Sequence, residues 1–217
     1  PDELDAEITL YDEAAGDIPL DVDADIIGIS SITGTTNRAY AYADHFRSQG
    51  KTVVLGGVHP TLMPDEAQQH ADSVVTGMAF QTWPQLLQDF QNGDLKERYS
   101  QLGQIDLSGL PEPKRKLLGN TYISKSSIQA TYGCPFSCDF CAVSATSDKY
   151  RRRPIEDVIE ELENMKGGFV IFVDPSPIEN KEYIKQLWRE MIPLKKKWGG
   201  LATVRIADDP ELMDLAA

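Results

Sequence analysis

Short apolar runs rich in β-branched residues alternate with helix-patterned stretches along the chain, and this rhythm predicts parallel sheet covered by helices. Strands are expected at Ile8–Tyr11, between acidic residues, at Asp25–Ser30, at Thr52–Leu55 and at Ser73–Thr76. Helices are expected over Arg38–Ser48, from Pro64, and from Thr82 to about Asn92. Residues 93–122 hold Pro111 and Pro113 and no sustained period, and read as a connection. The rhythm then restarts, with strands at Ser127–Thr131, Phe169–Val173 and Leu201–Ile206. Helices are expected over Pro154–Met165, over Glu179–Trp198 with a break at Pro193, and from Pro210. The expected organisation is an α/β domain over 1–92, a linker over 93–122 and a second α/β domain over 123–217. The first is an open, doubly wound parallel sheet. The second holds three βα units, too few to close a barrel of about eight strands. The chain therefore reads as a fragment, and the first domain as lacking an opening hydrophobic strand.

The chain has three cysteines, all in the stretch Cys134-Pro-Phe-Ser-Cys138-Asp-Phe-Cys141. An odd count at this spacing is not a disulfide framework. Thiolate-only sites favour iron–sulfur clusters, zinc or copper(I). Four thiolates usually hold a four-iron cluster, so three leave one iron open to another ligand. A zinc site would need a fourth ligand, and the histidines, His45, His59 and His70, all lie far upstream. The loop follows a strand, and α/β barrels bind ligands at the carboxyl ends of their strands.

Cys134-x-x-x-Cys138-x-x-Cys141, preceded by Gly133 and with Phe140 before the last cysteine, resembles the signature of radical S-adenosylmethionine (radical SAM) enzymes. The resemblance implies that Cys134, Cys138 and Cys141 bind a 4Fe-4S cluster whose open iron takes the amino and carboxylate groups of SAM. It also implies one-electron cleavage of SAM to methionine and a deoxyadenosyl radical, with Phe140 near the adenine. Asp174, in Asp174-Pro175-Ser176, stands where the ammonium group of SAM would be held, and Ser176 is assigned to the same cofactor. A plain strand-end turn is the alternative for Asp174.

The upstream half resembles the cobalamin-binding domain, a Rossmann-like fold, that precedes the barrel in one large radical SAM subgroup. The similarity rests on Gly56-Gly-Val-His-Pro-Thr61, Pro64-Asp-Glu-Ala67, Ala71-Asp72, Gly77 and Thr82-Trp-Pro84, and continues through Leu110-Pro-Glu-Pro, Leu117-Leu118 and Tyr122. It assigns Ser30 or Ser31, with Gly56 and Gly57, to the cofactor's nucleotide tail; His59, in the same glycine stretch, is a further candidate cofactor-binding residue, and serines that only bond backbone and a plain tight turn are the alternatives. Glycines at a strand end let a ligand or backbone approach closely. The loop that carries the cobalt-binding histidine in base-off domains reads Asp12-Glu-Ala-Ala-Gly16 here, with Ala14 in the histidine's place. Cobalamin would therefore bind without a histidine axial ligand. Methyl transfer, ring formation and oxidation all occur in the subgroup.

The formal net charge of −13 argues against a nucleic-acid partner, because phosphate neutralisation needs a basic surface. A local exception, Lys149 with Arg151, Arg152 and Arg153, reads either as a solvated loop or as a patch that holds an anionic cofactor or helps cap the cysteine loop. No apolar run reaches the roughly 20 residues of a membrane span. The expectation is a cytoplasmic enzyme with a small-molecule substrate and a reductant such as flavodoxin or ferredoxin. Other readings are an electron-transfer or corrin-binding module, and a zinc-stabilised interaction domain.

Overall fold

The computed structural model describes residues 6–101, 105–118, 125–146 and 150–217. Tyr122 and Lys149, named above, lie outside them. The chain divides into two compact units, Pro1–Gln104 and Ile105–Ala217.

The first unit is a four-stranded parallel sheet in the order β1 (Ile26–Ser30), β2 (Thr52–Gly56), β3 (Ser73–Gly77), β4 (Arg98–Gln101). Helices α1 (Thr36–Ser48), α2 (Val58–Leu62), α3 (Pro64–Ala67) and α4 (Thr82–Asn92) connect the strands. Successive residues of a strand point to opposite faces. Val53 and Leu55 accordingly pack with Tyr40, Ala43 and Phe46 of α1, while Val54 packs with Leu86 of α4. With both faces covered, consecutive apolar residues fill the middle of β2 (Val53, Val54 and Leu55) and of β3 (Val74 and Val75). The pairing of Ile26 with Thr52 runs through to Ser30 with Gly56, so β1 and β2 end level.

Two expectations fail in this unit. Ile8–Tyr11 forms no strand; Ile8, Leu10 and Tyr11 all stay exposed, so the run has no face to bury. Conversely, β4 lies in the segment expected to be connecting chain. Only Tyr99 of its four residues is apolar, and its alternating burial places Tyr99 and Gln101 inward and Arg98 and Ser100 outward.

The second unit has a three-stranded parallel sheet, order β5 (Ser127–Ile128), β8 (Phe169–Phe172), β9 (Lys197–Gly199). Between β5 and β8 lie an antiparallel ribbon of β6 (Thr131–Tyr132) and β7 (Arg151–Arg152), and helices α5 (Ala142–Thr146) and α6 (Ile155–Asn164). Helices α7 (Lys181–Met191) and α8 (Pro210–Ala216) complete it. Its core gathers Ile128, Val158, Leu162, Val170, Leu187 and Leu212 with the tilted pair Trp188 and Trp198. Helix α7 starts at Asn180, whose side chain accepts the Tyr183 amide at 2.9 Å. The helix gives way at Met191 to a 3-10 turn that carries Pro193, as expected of a proline in a helical run.

The strand expected over Leu201–Ile206 is absent. Lys197–Gly199 pairs with β8 instead, and Val204–Asp208 is a 3-10 turn with Val204 exposed. The Lys196 ammonium donates to the Met165 carbonyl at 2.8 Å and the Gly167 carbonyl at 3.1 Å, which holds the chain just before β9 to the turn ahead of β8. The strand expected over Ser127–Thr131 is also split, into β5 and the start of the ribbon. Among the described residues, no helix is long and apolar enough to cross a membrane.

Candidate functional site

The cysteine loop leaves the second sheet at the carboxyl end of β5. Its stem is the β6–β7 ribbon, which pairs Thr131 with Arg152 and Tyr132 with Arg151. Arg151 and Arg152 of the basic run thus form the returning strand of that stem. Gly133, at φ +73°, turns the chain out of β6 directly before Cys134.

All three cysteines are free thiols; Cys138 is exposed, and Cys134 and Cys141 are half-buried. The Cys141 amide donates to the Cys138 carbonyl at 3.0 Å, a turn that carries Asp139 and Phe140. The Ser144 hydroxyl donates to the Cys141 carbonyl at 2.7 Å and reaches the Cys138 carbonyl at 3.3 Å, which fixes α5 against that turn. Phe140 is 93% exposed. Among the described residues, no three His, Cys, Asp or Glu side chains converge closely enough to hold a metal ion. Three free thiols on one exposed loop nevertheless fit a soft metal centre by donor type, and such loops close as the metal enters.

Asp174 and Ser176 differ from what was expected of them. Asp174 is 1% exposed, and its carboxylate points into the protein. It accepts the Ala130 amide at 3.1 Å, the Thr131 amide at 2.5 Å and the Thr131 hydroxyl at 2.6 Å. Burial pushes its carboxyl up from the usual range, against the pull of these hydrogen bonds. A carboxylate so enclosed does not face a ligand's ammonium group. Ser176 is equally buried, and its hydroxyl donates to Glu179 at 2.8 Å.

Sequence reasoning missed a buried ion triad behind the loop stem. Glu161 of α6 takes the Arg153 guanidinium at 2.6 Å on one oxygen and Arg115 at 2.5 Å on the other. Arg153 also donates to the Gln129 carbonyl at 3.1 Å, and Arg115 to the Ser127 carbonyl at 2.6 Å. The signal was available: Glu161 falls in the same helical stripe as Ile155, Val158 and Leu162, where a charge needs a partner. Arg153, read as part of an exposed basic run, is buried. Glu161→Gln leaves two guanidinium groups without their counter-charge and is expected to destabilise the second unit by about 3–5 kcal/mol. Urea denaturation of the variant against the parent chain measures this.

In the first unit the level ends of β1 and β2 bring Ser30, Ser31, Gly56 and Gly57 together. The Ser31 amide donates to the Gly56 carbonyl at 3.0 Å, and the His59 amide to the Ser31 carbonyl at 3.2 Å. Gly57 has φ +97°, and a Cβ there would lie 2.7 Å from both the Ser30 hydroxyl and the Ser31 carbonyl oxygen. Ser30 is exposed, whereas the Ser31 hydroxyl is buried without a hydrogen-bond partner. An orphaned hydroxyl beside a turn only glycine can make fits a ligand's polar tail. His59 is buried, with Nδ1 3.2 Å from the Thr33 hydroxyl and Nε2 3.2 Å from Glu66. Both ring nitrogens are thus paired within the protein. The Asp12–Gly16 loop forms a turn, and Glu13 beside Ala14 is paired with Arg38 and the Tyr42 hydroxyl.

A parallel sheet with a glycine turn, followed by a sheet whose first strand delivers a three-cysteine loop, defines a two-part cofactor-binding chain. The family models agree in the same order: residues 5–87 match the B12 binding domain, and residues 128–216 match the radical SAM superfamily. Residues 128–216 are thus a radical SAM superfamily region, with a B12 binding domain over residues 5–87 ahead of it.

Two relatives from Chlorobaculum tepidum are similar to it. Bacteriochlorophyllide d C-12(1)-methyltransferase is 30% identical over 97% of this chain and 49% of its own length. Bacteriochlorophyllide d C-8(2)-methyltransferase is 39% identical over 75% of this chain and 38% of its own length. This chain thus spans half or less of the curated relatives it matches. Among solved structures, the radical SAM methyltransferase TsrM from Kitasatospora setae, determined with cobalamin and a 4Fe-4S cluster bound, superimposes with a TM-score of 0.63. The match covers 89% of this chain and 43% of TsrM at 13% identity, a likeness of fold.

Proposed function

We propose that this chain is the cofactor-carrying part of a cobalamin-binding radical SAM enzyme that transfers a methyl group to a small-molecule substrate. The observation that carries the proposal is the single loop beyond the carboxyl end of β5 that holds all three cysteines, with Cys138 exposed and Cys134 and Cys141 half-buried. Methyl transfer is favoured over ring formation or oxidation because both similar relatives from Chlorobaculum tepidum are methyltransferases by name.

In this reading Cys134, Cys138 and Cys141 hold a 4Fe-4S cluster, and Phe140, on the same loop and free of packing, lies against the adenine of SAM. Ser30, Ser31, Gly56 and Gly57 receive the nucleotide tail of cobalamin, with Ser31 supplying the hydroxyl that lacks a protein partner. His59 shapes that turn through Thr33 and Glu66. With Ala14 in the axial place, the cobalt takes no histidine from this loop. When bound, the cluster supplies one electron to the sulfonium of SAM, and the corrin supplies a carrier for its methyl group. A reductant such as flavodoxin or ferredoxin and a low-oxygen cytoplasm suit an exposed cluster loop.

Anaerobic reconstitution with ferrous iron, sulfide and hydroxocobalamin, followed by SAM and dithionite, tests the reading. The expected result is release of deoxyadenosine or S-adenosylhomocysteine with cobalt retained on the protein. An iron-loaded protein that leaves SAM intact under reduction contradicts it.

A further inference from the structure

We propose that Asp174 is a positioning residue for the metal loop, a buried latch that fixes where the chain enters the cysteine segment, and not a contact to SAM. The inference rests on the cluster reading given above. The carbonyls of Ile128, Gln129 and Ala130 and the amides of Ala130 and Thr131 are all engaged. The Val173 amide donates to the Ile128 carbonyl at 2.9 Å, and Arg153 side-chain and backbone N–H groups donate to Gln129 at 3.1 Å and Ala130 at 2.9 Å. Three donors, the amides of Ala130 and Thr131 and the Thr131 hydroxyl, converge on the Asp174 carboxylate. The Tyr183 hydroxyl donates to the Ala130 carbonyl from the opposite side at 3.3 Å.

The contrast with the next ten residues is sharp. Cys134 follows Thr131 by three positions, and from there to Cys141 the chain is largely exposed and held by the Cys138–Cys141 turn and Ser144. Rigid entry and loose loop divide the work: the thiols move to close on the metal, while Asp174 fixes the point from which they move. A carboxylate suits the task because its lone pairs accept several N–H and O–H donors at once. Pro175, next in sequence, brings no amide of its own to compete for them. Groups behind metal ligands act in this way elsewhere, and their loss typically weakens metal retention by about 10–100-fold.

The test uses the whole chain, reconstituted anaerobically with ferrous iron and sulfide. Asp174→Asn keeps the shape and removes one acceptor oxygen. It is expected to fold, by far-ultraviolet circular dichroism, and to lose iron to a chelator about ten-fold faster or more. The electron paramagnetic resonance signal of its reduced cluster is expected to broaden before SAM is added. A folded Asp174→Asn protein with parental chelator resistance and signal overturns the proposal. If instead only the response to SAM is lost, Asp174 is a cofactor contact and the proposal is equally overturned. Should Asp174→Asn fail to fold, Thr131→Val decides. It removes the hydroxyl donor alone, and faster iron loss with an altered signal is expected; parental behaviour overturns the latch. A parental chain that takes up no iron sinks the cluster reading itself, whereas equal chelator resistance and equal signals in parent and variants sink the latch alone.

Discussion

Replacing Cys138 with alanine abolishes cluster assembly and leaves the first unit folded. Cys138 is the most exposed of the three thiols, so its side chain supports no packing that the substitution removes. The second unit's core gathers around Val158, Val170 and Leu187 and includes no residue of the cysteine loop. Two thiols retain no cluster that needs three from the protein. Iron and acid-labile sulfide, counted after anaerobic reconstitution, should fall to background, with the circular dichroism spectrum unchanged. Normal stoichiometry in the variant would refute the ligand assignment.

A comparable loss is expected in the first unit from Gly57→Ala. The residue has φ +97°, and the new methyl would sit 2.7 Å from the Ser30 hydroxyl and from the Ser31 carbonyl oxygen, so backbone must shift. Strain at such a position costs about 1–3 kcal/mol. Each kcal/mol corresponds to roughly 4–8 °C in the melting temperature of a unit this size. The same shift displaces Ser31, so cobalamin uptake should be lost as well. Gly34→Ala is the control, because a Cβ there would meet nothing within 4 Å and the residue lies outside the proposed cofactor turn. Equal melting temperatures and equal cobalt uptake in the two variants would contradict the role given to the glycine turn.

What the sequence revealed and what it hid have physical reasons. β2 and β3 were legible because both faces are buried, and continuous apolar runs mark such strands. The end of α7 was legible from Pro193, and the cysteine loop from its spacing alone. β4 was hidden because Arg98, Ser100 and Gln101 give no apolar signal; its inward residue Tyr99 is held by a hydrogen bond to Asp89 at 2.8 Å. Leu201–Ile206 misled for the opposite reason, since apolar residues there are left exposed while Lys197–Gly199 takes the place beside β8. Asp174 was legible as a carboxylate at a strand's end, but not its enclosure by the Ala130 and Thr131 amides, because sequence does not say which way such a side chain will turn. Thr131, its principal donor, offered no signal at all.

The central claim is a cluster held by three thiolates with one iron left for SAM. Its most direct test is the electron paramagnetic resonance spectrum of the reduced, reconstituted chain, recorded before and after SAM is added. The account predicts an iron–sulfur signal whose g-values change on addition, because the sulfonium ligand's amino and carboxylate groups occupy the open iron. A signal indifferent to SAM, or a colourless protein with no iron at all, would contradict it.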